Sequence, residues 1–162
     1  MGLEDWEAYA AAWADPQMTE FIGGKPRTRA ESWTKFLASV GYWPLFGYGY
    51  WSFIDKQTGD FLGNGGLAQQ DRGIADLKDY PEAGWTFVPS AWGRGLATEA
   101  MTEILRWSDD VRRLLDVRCI IAPGNAASIG VATKLGFEPM SEFQDQAMHV
   151  VVYRRMCLGK NV

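Results

Sequence analysis

The stretch VPSAWGRGLATE, residues 88–99, decides the fold of this chain. A strand-like segment, residues 82–88, leads into it, and an amphipathic helical segment, residues 97–111, leads out of it. Gly93 and Gly95 stand between the two, one residue apart. A strand, a glycine turn and a helix start favour an anion site, because unpaired backbone N–H groups and the positive end of the helix dipole converge there.

This pattern alone leaves a second interpretation open, a plain tight turn before a helix. The stretch lacks the third glycine of a dinucleotide-binding loop, and no Gly-Lys-Ser or Gly-Lys-Thr follows for a Walker loop. A second element follows further along the chain, NAASIGVATKLGF at residues 125–137. The two elements together are more specific than either one.

Composition and charge bound the class of protein. The 162 residues are 47% hydrophobic and 22% charged, which indicates one globular domain over residues 1–162 and excludes a disordered or membrane chain. Lys and Arg number 16 against 20 Asp and Glu, a net charge of −4 that offers no basic footprint for nucleic acid. The first residues are unlike a signal peptide, so we expect a cytoplasmic protein with no membrane association.

The cysteines and the histidine narrow the chemistry. Cys119 and Cys157 stand in apolar stretches, outside any CxxC motif, and we interpret them as reduced packing residues. His149 is the only histidine, which excludes a metal cluster or a catalytic triad built on several histidines. No metal is expected.

Hydrophobic spacing predicts the other elements. Thr28 and Glu31 form a capping box at the start of one helix, and Gly41 closes that helix. We expect helices over residues 3–13, 28–40, 97–111 and 126–135, and strands over residues 48–54, 61–67, 82–88, 115–122, 137–143 and 148–156.

The motifs resemble those of a known family. Trp-Gly-x-Gly-x-Ala-x-Glu at residues 92–99, followed by Asn-x-x-Ser-Ile at residues 125–129 and Lys-Leu-Gly-Phe-Glu at residues 134–138, is similar to the GNAT superfamily of acetyl-CoA-dependent N-acetyltransferases. The tryptophan of the first motif and the serine of the second resemble its ribosomal-protein N-terminal (alanine/serine) acetyltransferase subgroup. The resemblance covers nearly the whole chain and includes the order of the elements.

This resemblance implies a fold. A single-domain α/β (α+β) protein is expected, with a mixed, mostly antiparallel sheet flanked by helices and a splay between the fourth and fifth strands. The chain starts almost at its first helix, whereas the family normally has a strand before it. Either the sheet is one edge strand short, or the gene start is placed late.

The resemblance also implies acetyl-CoA as cosubstrate. The backbone of Phe87 and Val88 should pair with the pantetheine arm, and Asn125 and Ser128 should contact the same arm or its sulfur. Lys134 is either a phosphate ligand or a solvated lysine. The backbone N–H groups expected to meet the pyrophosphate are those of Gly93, Arg94, Gly95, Leu96, Ala97 and Thr98.

The implied reaction is direct attack of a primary amine on the thioester in a ternary complex. Glu82 matches the position of the family's base, Val88 N–H is the expected oxyanion donor, and Ser128 is a candidate to protonate the thiolate. The alternatives are a solvent-facing glutamate and a serine that only makes a helix-start hydrogen bond. Tyr153 is an alternative acid or a packed tyrosine.

Two departures from the family keep other functions open. Ser90 stands where many members have Gln or Arg, and Ala132 stands where much of the superfamily has a tyrosine acid. A non-catalytic acyl-CoA-binding regulator is therefore a second hypothesis, and a nucleotide phosphate-binding module a third. The acceptor is a small-molecule amine or a protein N-terminus, and the resemblance also allows a homodimer.

Overall fold

The structure is a computed structural model that describes residues 1–157. A 3-10 turn, Leu3–Asp5, precedes the first helix, and a π-helical turn, Ser108–Arg112, extends the fourth. The helices are α1 (Trp6–Trp13), α2 (Pro16–Thr19), α3 (Arg29–Phe46), α4 (Leu96–Trp107) and α5 (Ala126–Lys134). The strands are β1 (Tyr50–Ile54), β2 (Phe61–Ala68), β3 (Glu82–Phe87), β4 (Asp116–Ile121), β5 (Glu138–Gln144) and β6 (His149–Met156).

The six strands form a mixed sheet in the order β1-β2-β3-β4-β6-β5. β1 pairs with β2, β4 with β6 and β5 with β6 in antiparallel fashion, whereas β3 pairs with β4 in parallel at Glu82 and Arg118. This mixed, mostly antiparallel sheet flanked by helices confirms the predicted fold class. The splay further along β3 and β4 stays a prediction. Within residues 1–157, no strand precedes the first helix.

By contact density the chain forms two compact units. The first comprises residues 1–68 and 85–97, and the second comprises residues 69–84 and the chain from Thr98 onward. The division falls inside β3, which contributes its first half to the second unit and its second half to the first. The single domain over residues 1–162 stays a prediction, and residues 158–162 lie outside the described part of the chain.

Aromatic packing between α1 and α3 forms the core of the first unit. Tyr9 and Phe36, each 1% exposed, meet edge to face with ring centroids 5.3 Å apart. Trp13 and Met18 complete the buried cluster. Burial of each such side chain contributes about 1.5–3 kcal/mol. The helical conformation is favoured here because it places these aromatic residues on one face, where they are buried together.

A buried ion network stabilises the second unit beside a cluster of aliphatic side chains. Asp116 accepts hydrogen bonds from Arg118 at 3.0 Å and from Arg154 at 2.9 Å, and the Arg118 guanidinium lies 3.3 Å from the centre of the Tyr80 ring. Arg118 is 4% exposed. Burial alone would raise the pKa of Asp116, but the hydrogen bonds from its two arginines outweigh burial and lower it.

Helix α3 is longer than the sequence predicts. Its capping box is confirmed, since Glu31 N donates to Thr28 Oγ1 at 3.2 Å and Glu31 Oε2 accepts from Thr28 N at 2.7 Å. The predicted end at Gly41 is wrong: the helix continues through Gly41 and ends where Gly47 adopts a positive φ of 70°. Glycine weakens a helix without stopping it, whereas a left-handed residue does stop it.

The proline after the first predicted helix starts a helix as well as ending one. Pro16 is the first residue of α2, where its missing N–H costs nothing. Asp15 caps this helix by accepting from Gln17 N at 2.7 Å. The sequence predicted only the end of α1 at this point.

Candidate active site

The loop between β3 and α4 depends on two left-handed glycines. Gly93 has φ of 71° and Gly95 has φ of 78°. A Cβ built on either glycine meets no atom within 4 Å, so glycine is required here for its backbone conformation and not to relieve crowding. The loop leads directly into α4 at Leu96, whose first N–H groups have no partner within the helix.

Trp92 braces this loop against the strand before it. Its indole Nε1 donates to Phe87 O at 2.7 Å, while its ring remains 51% exposed. A 3-10 turn, Pro89–Ala91, connects the two residues. The last carbonyl of β3 is therefore already bonded before any ligand arrives, although a carbonyl oxygen can accept a second hydrogen bond.

Arg94 turns its side chain away from the loop backbone. Its Nη2 lies 3.8 Å from Asp55 Oδ2 in the β1–β2 turn. Backbone N–H groups of Gln57 and Thr58, and then Arg94, hold the pKa of Asp55 below its usual value. The ion pair leaves the Arg94 backbone as the part of this residue that fits the predicted pyrophosphate contact.

The register of β3 revises the predicted role of Val88. Its N–H donates to Leu62 O at 2.9 Å and its carbonyl accepts from Ala91 N at 2.9 Å. The engaged N–H conflicts with the oxyanion contact predicted for it, whereas the carbonyl can accept a second hydrogen bond, so the pantetheine contact at Val88 stays a prediction. The prediction lacked the strand register, because a hydrogen-bond partner across a sheet is not visible in one segment of sequence.

Phe87 presents its backbone to the opposite edge of β3. The carbonyl of Thr86 faces β2, since a Cβ on Gly63 would come within 2.1 Å of it. Backbone groups alternate between the two edges of a strand, so Thr86 and Val88 face β2 and Phe87 faces away from it. Phe87, not Val88, therefore carries the backbone N–H on the edge that β2 leaves open.

Glu82 is buried and held by an arginine that sequence reasoning missed. The residue is 4% exposed, and Arg72 donates from Nε to Oε2 at 2.8 Å and from Nη2 to Oε1 at 2.9 Å. The solvent-facing alternative for Glu82 is wrong. Arg72 lies in a loop with no motif around it, so no local pattern could have found it.

Cys119 lies in the same unit as Glu82 and is not a nucleophile. It is 1% exposed, and burial, with a further contribution from the negative charge of Glu82, raises the pKa of its thiol far above the usual value. A thiol reacts through its thiolate, so this side chain stays inert. Cys157 is also a free cysteine, and burial together with Asp109 raises the pKa of its thiol.

Asn125 and Ser128 lie at the start of α5. Asn125 Oδ1 accepts from Ser128 N at 3.0 Å and caps the helix. The helix-start hydrogen bond anticipated for the Ser128 hydroxyl is thus made by Asn125 instead. Ser128 is half-buried, and its hydroxyl makes no hydrogen bond to any residue between 1 and 157.

The other candidates of the second unit have structural settings. Ala132 is fully buried. Because its side chain is a methyl group, the position of the family's tyrosine acid holds no proton donor. Tyr153 is 7% exposed on β6 and pairs with Cys119 of β4. His149 is exposed beside Glu142, and Lys134 is exposed at the end of α5.

Residues 1–157 offer neither a metal-binding cluster nor a membrane-spanning helix. They contain no group of three or more His, Cys, Asp or Glu side chains arranged to hold a metal ion. No helix in this part of the chain is both long enough and apolar enough to cross a membrane.

Comparison with known proteins identifies the family. The Acetyltransferase (GNAT) domain family matches residues 1–138, and the chain belongs to it. It is 31% identical over 144 residues to the protein YkkB of Bacillus subtilis (strain 168), which covers 87% of this chain and 80% of YkkB.

Solved structures share the fold. An acetyltransferase of Bordetella pertussis assigned to the GnaT family has a TM-score of 0.84 at 25% identity, covering 95% of this chain and 91% of that one. The ribosomal-protein-S5-alanine acetyltransferase of Vibrio fischeri has a TM-score of 0.76 at 16% identity (96% and 90%). The spermidine N-acetyltransferase of Vibrio cholerae, in complex with CoA and spermine, has a TM-score of 0.75 at 12% identity (96% and 92%). At these last two identities the likeness is one of fold.

Proposed function

We propose that this chain transfers an acetyl group from acetyl-CoA to a primary amine by direct attack of the amine on the thioester. The observation that carries the proposal is the β3–α4 loop, where Gly93 and Gly95 both adopt positive φ and lead directly into the start of α4. Such a loop suits a pyrophosphate, because backbone N–H groups and the helix dipole both favour negative charge. Membership of the GNAT acetyltransferase family supports the same reaction.

The proposed contacts with the coenzyme involve this loop, the end of β3 and the start of α5. We assign the pyrophosphate to the backbone N–H groups of Gly93 through Thr98 and the pantetheine arm to the backbone of Phe87. Asn125 supplies its amide nitrogen to the arm, since its Oδ1 already accepts from Ser128 N. The presence of CoA in the Vibrio cholerae structure of the same fold supports acetyl-CoA as cosubstrate.

The chemistry needs a base, an oxyanion donor and an acid. Glu82 takes the proton from the attacking amine through a water molecule, because both of its oxygens already accept from Arg72 and each has a lone pair left. Phe87 N–H donates to the oxyanion. As the C–N bond forms and the C–S bond breaks, the Ser128 hydroxyl donates a hydrogen bond to the departing thiolate. The sulfur takes up a proton from solvent as Glu82 releases the proton that it took from the amine.

Release of free thiol tests the proposal. The protein is incubated with acetyl-CoA and a panel of peptides, polyamines, amino acids and aminoglycosides, and coenzyme A is titrated with a thiol reagent. We expect turnover with at least one amine, a fall of about a hundredfold or more in Glu82→Gln, and a smaller fall in Ser128→Ala. Undiminished turnover in Glu82→Gln would remove Glu82 from the mechanism.

A second function, a non-catalytic acyl-CoA-binding regulator, is favoured by two observations. Arg72 occupies both oxygens of Glu82, and Ala132 provides no acid. If the chain is such a regulator, calorimetry should show binding of coenzyme A and no amine should be acetylated, whereas an enzyme should show both binding and turnover.

We further propose a cytoplasmic location, which suits two free cysteines, and the homodimer stays a prediction.

A further inference from the structure

Arg27 differs from the other arginines of the first unit. The guanidinium groups of Arg29 and Arg94 lie within 4 Å of a carboxylate. Among residues 1–157, no carboxylate lies within that distance of Arg27, although Arg27 is half-buried. Buried charges are normally paired, so a half-buried guanidinium without a carboxylate needs an explanation.

Aromatic side chains hold Arg27 in place. Its guanidinium carbon lies 3.5 Å from the centre of the Trp13 ring, and its backbone N donates to Trp13 O at 2.9 Å. Burial raises the pKa of Tyr9, and the nearby Arg27 charge opposes that rise. An arginine stacked on an indole has its planar fork of donors oriented in advance, which reduces the entropy lost on binding an anion.

The nearest acid on the same segment is already committed. Glu31 accepts from both Thr28 N, at 2.7 Å, and Thr28 Oγ1, at 2.8 Å, in the capping box of α3. Its carboxylate therefore stabilises the helix start, and its attraction for Arg27 acts only at longer range. The Arg27 side chain also makes a hydrogen bond to Tyr9, and its remaining guanidinium donors are available to an external anion.

A chain of contacts links Arg27 to the strand that carries the proposed reaction. Trp13 Nε1 donates to Asn64 Oδ1 at 3.2 Å, and Thr86 Oγ1 donates to the same oxygen at 2.9 Å. Asn64 is 4% exposed, and Thr86 directly precedes Phe87. Arg27 is thus separated from β3 by two side chains, Trp13 and Asn64, all within the first unit.

We propose that Arg27 binds an anionic group, a carboxylate or a phosphate, on the acceptor amine. This inference rests on the proposed acetyl transfer and names its substrate class: an amine that also carries a negative charge. It disfavours polyamines, whose second charge is positive and would face the guanidinium. Arg27 acts on recognition and not on the reacting atoms.

Matched pairs of acceptors test the inference. Initial rates are measured for 4-aminobutyrate, 6-aminohexanoate, amino acids and phosphoethanolamine, each carboxylate beside its amide, with spermidine as the cationic comparison. The wild type should prefer anionic acceptors by roughly ten- to a hundredfold in kcat/KM, the range of one charge-assisted hydrogen bond. The phosphate and carboxylate arms identify which anion is recognised.

Substitutions at Arg27 separate recognition from folding. Arg27→Gln should lose roughly ten- to a hundredfold in kcat/KM for the anionic acceptors, mainly through KM, and leave their amides unchanged; Arg27→Lys should recover part of the loss. The acceptors differ in the intrinsic reactivity of their amines. This difference cancels when the kcat/KM of a variant is divided by the kcat/KM of the wild type for the same acceptor. Arg29→Gln, at an exposed arginine paired with Glu7, is the matched control and should behave as wild type.

Each outcome bears on one proposal or the other. Turnover on some amine without any preference for anionic acceptors overturns the Arg27 inference and leaves the acetyltransferase standing, and so does an equal loss for acids and amides in Arg27→Gln. No turnover on any amine defeats the proposed function itself. If Arg27→Gln does not fold, the wild-type comparison of acids with amides still decides.

Discussion

Arg72 fixes the carboxylate of Glu82 through two parallel hydrogen bonds, at 2.8 and 2.9 Å. The pair balances a charge whose side chain is only 5% exposed. Two-point contact also sets the orientation of the carboxylate before any substrate binds, since a guanidinium matches a carboxylate in one plane. Arg72 is therefore a positioning residue for Glu82 in the proposed mechanism.

Substitution of Arg72 should impair both stability and turnover. Arg72→Gln leaves a buried carboxylate without its cation, which should cost about 3–5 kcal/mol of the free energy of unfolding. In Arg72→Gln we expect kcat to fall while the KM for acetyl-CoA changes little. The kcat of Arg72→Lys should lie between those of Arg72→Gln and wild type, because lysine restores the positive charge but not the two-point contact of the guanidinium. Denaturant unfolding and steady-state rates give both quantities; Arg106→Gln, at an exposed arginine, is the control. Wild-type kcat in Arg72→Gln would contradict the positioning role.

Loss of the Trp92 indole N–H should weaken coenzyme binding. Trp92→Phe keeps an aromatic ring but removes the hydrogen bond to Phe87 O, which is worth about 1 kcal/mol, so the Kd for coenzyme A should rise about fivefold. The kcat should change little, because no reacting atom is touched. Calorimetry measures the Kd, with Trp33→Phe as a control outside the loop. An unchanged Kd would show that the loop keeps its shape without this bond.

The ion network of Asp116 should set part of the acid sensitivity of the fold. The pKa of Asp116 is lowered in the folded state because two arginines outweigh its burial. Its contribution to stability is therefore present above the unfolded value of about 3.9 and is lost as the pH falls through the folded value. Asp116→Asn leaves the buried Arg118 guanidinium without its carboxylate and should cost about 3–5 kcal/mol at pH 7.

The pH dependence distinguishes this effect from a general weakening. The gap in unfolding free energy between wild type and Asp116→Asn should narrow when denaturation is repeated near pH 3, because Asp116 of the unfolded chain then takes up a proton that the folded chain, with its lowered pKa, binds less readily. Glu103→Gln, which removes an exposed partner of Arg106, should change stability by less than about 0.5 kcal/mol. If the difference in unfolding free energy stays constant with pH, Asp116 stabilises the fold through packing and not through its charge.

Two glycines should respond to alanine in opposite directions. At Gly63, φ is 153° and a Cβ would lie 2.1 Å from Thr86 O, a backbone atom that cannot move aside, so Gly63→Ala should strongly destabilise the protein. At Gly41, inside α3, a Cβ meets nothing within 4 Å, and Gly41→Ala should add about 0.5–1 kcal/mol of stability. Thermal and denaturant unfolding check both signs.

Local patterns predicted the elements of this fold, and long-range partners escaped them. The capping box of Thr28 and Glu31 was predictable because both partners lie within one helical turn. The end of α3 was not, since Gly41 is compatible with a helix and the stop depends on the left-handed conformation of Gly47. Helix propensity is a weak signal next to tertiary packing.

In the candidate site, too, local features were predictable from the sequence and long-range contacts were not. The strand–glycine–helix pattern predicted the loop at Gly93 and Gly95, because backbone conformation is encoded locally. The alternation that favours Phe87 over Val88 depends on the register against β2, and the Arg72–Glu82 pair depends on how a loop returns to the sheet. Both are set by the fold as a whole.

The left-handed glycines of the β3–α4 loop have a consequence for how this chain can vary. Their backbone has the conformation that a D-amino acid would prefer. The turn at each of these two glycines is thus encoded by handedness and not by a side chain of its own. Glycine meets this demand at the lowest cost, whereas other encoded residues enter this region with strain, as Asp79 and Arg113 do elsewhere in the chain at φ of 67° and 55°.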